Sequence, residues 1–309
     1  MSLFNLGDRD KTDPIMRAVK AVNSVAEGAR TLSPEDLERQ RNAQDILARL
    51  ITPPVGTTQK DFNIGEMHAA WAIPDTPHIT NKVILYCHGG GYTCGSLRYA
   101  GILGHKLAQS SGLNTMFFEY RLAPEHPYPV AIQDAIKAWD YLMLRGYGAS
   151  DIIIAGDSAG GNMALELCLF LREQERMLPG AIVLMSPWTD MTASASTYAT
   201  YEGIDPIVTK DYVHSLVQAY AGDRDDLDNP KLSPLFADFT DFPPVYIQVG
   251  QNEVLLHDST QLAENMRSFG VSVKIDIFEN GWHVFQQLPM PRANTAVKDI
   301  GNWIISKIK

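Results

Sequence analysis

A serine between glycines separates an apolar run from an apolar helical stretch, and this arrangement constrains the fold most. The run covers residues 151–155, the pentapeptide Gly-Asp-Ser-Ala-Gly covers residues 156–160, and the helical stretch covers residues 161–175. A short Ile-rich run is typical of a buried parallel strand. The pentapeptide is therefore predicted to be a strand-to-helix turn that lifts the Ser158 hydroxyl above a sheet. A purely structural Gly-rich turn would fit the same pattern.

Strand-like and helical segments alternate along most of the chain. The predicted strands are residues 64–71, 82–87, 113–119, 151–155, 181–186, 245–249 and 273–278. The predicted helices between them are residues 100–110, 130–144, 161–175, 258–269 and 293–308. Such alternation indicates an α/β fold in which helices flank a mostly parallel central sheet.

Two segments do not follow this alternation. Near the N-terminus, helices are predicted over residues 14–29 and from Pro34, after the N-cap Ser33, to about residue 50. Residues 191–241 contain four tyrosines and a helical stretch but no further strand. We expect residues 1–55 and 191–241 to form a helical cap, and residues 56–190 and 242–309 to form the core.

Composition excludes several classes of function. The 309-residue chain has a formal charge of -10 and a pI near 5.2, which disfavours binding to nucleic acid or anionic membranes. No secretion signal or membrane-spanning segment is evident, so a cytoplasmic protein without stable membrane association is expected. Cys87, Cys94 and Cys168 lack metal-site spacing, and reduced thiols are predicted.

A serine nucleophile needs a base and a group that orients this base. His283 follows the predicted strand 273–278 after a short loop, where a histidine would reach the edge of the sheet. The acid should follow strand 245–249, and Glu253 stands there. Asp258 is the alternative carboxylate, although its position favours capping of the next helix. The predicted triad is therefore Ser158, His283 and Glu253.

Backbone amides are needed to stabilise the oxyanion that forms when serine attacks an acyl carbon. Ala159 supplies one N–H group by the geometry of the turn. A second source is the loop His88-Gly89-Gly90-Gly91, which stands at the end of the predicted strand 82–87. A plain flexible loop is the alternative interpretation of these three glycines.

With these motifs, the chain resembles the bacterial esterases of the hormone-sensitive-lipase family of α/β-hydrolases. The matching stretches, in family order from about residue 82 onwards, are residues 88–92, 120–129 with Asp134, 156–162, 186–190 and 283–285. The resemblance implies that Ser158 is the nucleophile, that His283 is the base, and that Gly89, Gly90 and Ala159 form the oxyanion hole. Where the family commonly has Asp-Pro-Leu, this chain has Glu253-Val254-Leu255, and some branches of the family also use glutamate.

The expected function is hydrolysis of short-chain acyl esters through an acyl-enzyme intermediate, without a metal or organic cofactor. Amide, thioester or carbamate hydrolysis would use the same triad, and the fold also hosts non-catalytic receptors for small ligands. A homodimer paired through the edge strand 273–278 is a further expectation. Six residues are predicted to form the pocket wall: Tyr92, Trp188, Tyr201, Ile207, Trp282 and Phe285.

Overall fold

The computed structural model describes residues 32–51 and 53–308 of the chain. The helix predicted over residues 14–29 therefore lies outside the described residues, as does most of the N-terminal part of the expected cap. Helix α1, Pro34–Leu50, begins after the N-cap Ser33, whose side chain accepts a hydrogen bond from the Asp36 amide. Pro34 in the first turn of α1 costs no hydrogen bond, because a backbone N–H group at this position would have no partner within the helix.

Within the described ranges, eight strands form one sheet in the order β1-β2-β4-β3-β5-β6-β7-β8. Strands β1 and β2 pair antiparallel to each other, β2 pairs antiparallel to β4, and the remaining neighbours are parallel. The strands are β1 Thr57–Ile64, β2 Met67–Pro74, β3 Ile79–Cys87, β4 Leu113–Phe118, β5 Ile152–Asp157, β6 Ala181–Met185, β7 Val245–Gly250 and β8 Val273–Phe278. The predicted α/β architecture, a mostly parallel central sheet flanked by helices, is confirmed.

Helices connect the parallel strands and cover both faces of the sheet. They are α2 Leu97–Ser111, α3 Val130–Leu144, α4 Ala159–Glu173, α5 Thr197–Thr200, α6 Lys210–Ala221, α7 Leu256–Ser268 and α8 Pro291–Lys307. Short helices α5 and α6 lie in the segment 191–241, where no strand is found among the described residues. In the part of the chain that the structure describes, no helix has the length and apolar character needed to cross a membrane.

One predicted strand, residues 64–71, is wrong. Strand β1 ends at Ile64 and β2 begins at Met67, and these two residues pair with each other across the turn. Gly65 adopts a φ of 61° in this turn, a conformation that glycine reaches without steric cost. Apolar alternation continues on both sides of the turn, so the pattern resembles one strand although the chain reverses direction.

Alternate residues of the central strands pack into separate cores. Leu85 and Ile154 belong to the core on one face of the sheet, whereas Ile84 and Ile153 belong to the core on the other face. Burial on both faces explains why these strands are continuous apolar runs. The parallel strands also bring their carboxyl ends to the same edge of the sheet, where ligands of open α/β sheets bind.

Candidate active site

Ser158 stands in a strained turn between β5 and α4. Its φ is 51° and its ψ is -121°, a combination that non-glycine residues rarely adopt. Two flanking glycines are required by close approach: a Cβ at Gly156 would overlap the Gly160 carbonyl, and one at Gly160 would overlap the Cys87 carbonyl. The turn thus holds Ser158 at the carboxyl end of the central strand β5.

His283 contacts Ser158 directly. The Nε2 atom of His283 lies 2.9 Å from Ser158 Oγ, which is hydrogen-bond distance. His283 is in the loop after β8, and the next residue, Val284, donates its amide to Ser186 Oγ at 3.1 Å. Because the contact joins residues that are 125 positions apart, only the packed sheet brings base and hydroxyl together.

Glu253 lies on the other side of the His283 ring. Its Oε1 atom is 3.6 Å from His283 Nδ1, beyond a normal hydrogen bond but within ion-pair range. Its Oε2 atom accepts hydrogen bonds from Ser186 Oγ at 2.9 Å and from the Gly250 amide at 2.8 Å. These two donors fix the carboxylate, and a small movement of the imidazole would complete the Nδ1–H···Oε1 bond.

Asp258, the alternative acid, is occupied elsewhere. Its carboxylate accepts hydrogen bonds from the amides of Thr189 and Asp190 at 3.0 and 3.1 Å, and from the Tyr198 hydroxyl at 3.3 Å. The prediction that Asp258 caps the next helix is wrong, because it lies within the first turn of α7 and its partners belong to the segment after β6. Asp258 therefore stabilises the segment after β6 through hydrogen bonds.

The environment of His283 favours its protonated form. Burial by itself lowers the pKa of His283, but the adjacent Glu253 carboxylate, together with the charges of Asp205 and Asp157, outweighs burial and raises it. A base with a raised pKa accepts a proton more readily. The group is thus suited to remove the proton of Ser158.

Asp205 was not singled out from the sequence, although it is buried beside the acid loop. Its Oδ1 atom accepts the amides of Ile207 and Val208 at 2.9 and 3.2 Å, and its Oδ2 atom accepts the Val254 amide at 3.2 Å. An aspartate before a proline signals only a turn in the sequence. The structure shows that this turn joins segment 191–241 to the residue after Glu253.

The glycine loop differs from the expectation at one residue. The amide of Gly89 donates to Asp157 Oδ1 at 2.8 Å, so it is not free to stabilise an oxyanion. Gly90 and Gly91 line the same cavity as Ser158, with φ angles of 109° and 60°. Within the described part of the chain, the amides of Gly90, Gly91 and Ala159 have no hydrogen-bond partner. The loop amides available as donors are therefore those of Gly90 and Gly91, rather than the predicted pair Gly89 and Gly90.

His88 supports the loop from within the core. It is completely buried, its Nδ1 atom lies 2.7 Å from the Gly89 carbonyl oxygen, and its ring stacks on Tyr120 at 4.2 Å. Burial lowers the pKa of His88 to about 4, partly offset by the bond to Gly89. His88 is thus neutral at physiological pH and stabilises the loop through its hydrogen bond and ring stacking.

A partly open cavity of about 150 Å³ lies next to Ser158 and His283. Among the predicted wall residues, Trp188 and Ile207 line this cavity. The other four lie elsewhere. Tyr92 stacks on Tyr220 and donates its hydroxyl to Asn162, Trp282 and Phe285 pack in a separate apolar cluster, and Tyr201 packs against the main core.

Helices α1 and α6 supply much of the cavity wall. From α1 the lining residues recur at helical spacing: Gln40, Ala43, Gln44 and Leu47. From α6 they are Tyr212, Val213 and Leu216. Helical periodicity could have identified these faces in the sequence, but not the surface on which they pack.

Comparisons with known proteins identify similar sequences and structures. The sequence profile of a family described as having the alpha/beta hydrolase fold matches residues 84–287. An esterase of Acinetobacter venetianus is 34% identical over 73% of this chain and 75% of that relative. An acetyl-hydrolase of Streptomyces hygroscopicus is 28% identical over 85% of this chain and 86% of that relative. The crystal structure of a hormone-sensitive lipase from a metagenome library superposes with a TM-score of 0.87 and 32% identity, covering 96% of this chain and 99% of that one.

Proposed function

Because this chain belongs to the hormone-sensitive-lipase family of α/β-hydrolases and is a carboxylic ester hydrolase, we propose that it hydrolyses short-chain acyl esters with the triad Ser158, His283 and Glu253. The observation that carries this proposal is the 2.9 Å contact between His283 Nε2 and Ser158 Oγ beside a partly open cavity. Glu253, fixed by two donors on the far side of the imidazole, is the acid of the proposed triad.

The proposed reaction has two acyl-transfer steps. His283 removes the Ser158 proton as Oγ attacks the ester carbonyl, and His283 then gives that proton to the departing alcohol. Water repeats the cycle on the acyl-enzyme and releases the acid. The amides of Gly90, Gly91 and Ala159 are the proposed donors to the oxyanion, each worth about 10² to 10³ in kcat.

The size of the cavity supports a short acyl group. Its volume of about 150 Å³ is below the roughly 300–1,000 Å³ of pockets for drug-sized ligands. Its walls are largely apolar, with Leu216, Leu255 and Val213 among the lining residues. An acetyl or butyryl group fits such a space better than a long fatty-acyl chain does.

The position of α1 and α6 supports the proposed domain organisation. Both helices line the cavity over the carboxyl ends of the core strands, as expected if residues 1–55 and 191–241 form a cap on the core 56–190 and 242–309. Two further proposals concern location and assembly. A cytoplasmic location is supported by three buried cysteines that form no disulfide. A homodimer through β8 is supported by the position of this strand at the edge of the sheet.

The test compares hydrolysis of p-nitrophenyl acetate and butyrate by the wild-type protein and Ser158→Ala. We expect kcat to fall by roughly 10⁶ in the variant, as is found when a triad serine is removed. Ser268→Ala, at an exposed serine of α7, is the matched control and should retain full activity. Equal rates for wild type and Ser158→Ala would refute the proposed function.

A further inference from the structure

A second and larger cavity lies away from the active site. It has a volume of about 690 Å³ and lies between α3, α4 and the segment 230–238. Among the described residues, it shares no lining residue with the cavity beside Ser158. Much of its wall is apolar, formed by Ile132, Ile136, Leu169 and Phe170. The cavity can therefore hold an apolar group independently of the substrate.

Glu166 is the unusual residue in this wall. It lies eight residues after Ser158 on the same helix, about 12 Å further along the axis, and its residue is only 4% exposed. Within the described ranges, its Oε2 atom is buried and has no hydrogen-bond partner. A buried carboxyl oxygen without a partner costs free energy, so a ligand that pairs with it would bind favourably.

Charges around the cavity indicate which ligand would pair with Glu166. Lys231 forms an ion pair with Glu173 at 2.9 Å. Arg172 lies 3.5 Å from Asp238 Oδ1 and donates to the backbone carbonyl of that residue. Both rim cations thus have carboxylate partners of their own, whereas Glu166 has no cation within ion-pair distance among the described residues. A ligand with one positive charge would pair with its ionised carboxylate.

Burial raises the pKa of Glu166 well above its ordinary value, and the Lys231 charge and the Tyr128 hydroxyl offset only part of this rise. Burial therefore disfavours the ionised carboxylate when no cation is beside it. An ammonium group that enters the cavity would stabilise the ionised form, any proton on the carboxyl would leave to solvent, and the resulting ion pair would be charge-assisted.

We propose that this cavity is a second small-molecule site, which binds a primary alkylammonium compound with its charge on Glu166 and its apolar body against Ile132, Ile136 and Leu169.

The test measures binding of hexylamine and of its neutral counterpart hexan-1-ol by isothermal titration calorimetry. Wild type should bind hexylamine saturably, and hexan-1-ol at least about tenfold more weakly, because only the amine forms a charge-assisted bond. Glu166→Gln should weaken hexylamine binding by at least about tenfold and leave hexan-1-ol unchanged. Absence of saturable amine binding, equal affinity for the two ligands, or equal amine affinity in wild type and Glu166→Gln would each overturn the proposal.

A second variant locates the site without altering the charge. Ile136 is half-buried on the cavity wall, and Ile136→Trp should fill the space and weaken binding of both ligands by at least about tenfold. Hydrolysis of p-nitrophenyl acetate at the wild-type rate shows that this variant is folded. Should Glu166→Gln fail to fold, Ile136→Trp decides, since undiminished hexylamine affinity there contradicts the proposed location.

Discussion

At the scale of single residues, the active site contains polar atoms that the rest of the fold leaves unpaired. Glu253 Oε1 and His283 Nδ1 are both buried without a hydrogen-bond partner in the described chain, and they face each other at 3.6 Å. Such an arrangement is costly at rest. In the proposed mechanism it becomes favourable when His283 takes the Ser158 proton, because the new positive charge attracts the carboxylate.

Substitution of the two competing carboxylates separates their roles. Glu253→Gln should lower kcat for p-nitrophenyl butyrate by about 10⁴, since an amide neither balances the imidazolium nor fixes its tautomer. Asp258→Asn should change kcat by less than about tenfold and lower the free energy of unfolding by about 1 kcal/mol, because the amide oxygen still accepts the bonds of Thr189 and Asp190. A larger loss of kcat in Asp258→Asn than in Glu253→Gln would exchange the two assignments.

At the scale of elements, α1 is fastened to the loops around the active site. Arg41 donates to both carboxylate oxygens of Glu125 at 2.7 Å and to the Thr93 carbonyl at 2.8 Å. Ser96 donates to Asp45 at 2.7 Å. These bonds connect α1 to the segment after the glycine loop, so one face of α1 is held against the cavity beside Ser158.

A larger side chain on this face should change the acyl-chain preference. Ala43 is buried and lines the cavity, so Ala43→Phe should reduce kcat/KM for p-nitrophenyl butyrate relative to acetate by about tenfold or more. Ile46→Phe is the matched control on the same helix, because Ile46 is 53% exposed and lies on the outer face. An unchanged ratio in Ala43→Phe, or the same change in both variants, would show that α1 does not limit the acyl group.

At the scale of the whole molecule, an acidic chain buries several of its carboxyl groups. The formal charge is -10, and burial raises the pKa of Asp258 from 3.8 to about 8 and that of Glu166 well above its ordinary value. In the folded state these groups bind protons more tightly than they do in the unfolded chain. The free energy of unfolding must therefore fall as pH rises between the unfolded and folded pKa values of these groups, for Asp258 between 3.8 and about 8.

The window from pH 6.5 to pH 8 isolates this effect. His283, with its raised pKa, acts in the same direction. His88, with a pKa lowered to about 4, acts in the opposite direction, but its contribution is small because the unfolded imidazole, with a pKa of about 6.5, loses most of its proton in the first part of this window. Urea denaturation should show that the free energy of unfolding declines by about 1–2 kcal/mol over this window. The decline should be smaller in Asp258→Asn. Stability that rises between the two pH values would contradict the prediction.

The sequence by itself determined the features that depend on neighbouring residues. Apolar runs with β-branched residues identified the parallel strands, and strand β8 and helix α3 have their predicted bounds. The Ser158 turn was also predictable, because its glycines, the strand before it and the helix after it are contiguous. The hairpin at Gly65 was missed, since the apolar alternation does not change where the chain reverses.

Only the tertiary structure decided which groups of distant segments meet. Gly89 donates to Asp157 rather than to a substrate, a contact across 68 positions. Glu253 rather than Asp258 faces His283, and Ala43 and Leu47 rather than Tyr92 and Trp282 line the cavity beside Ser158. These outcomes depend on distances of a few ångströms between elements, and side-chain periodicity along one element carries no information about such distances.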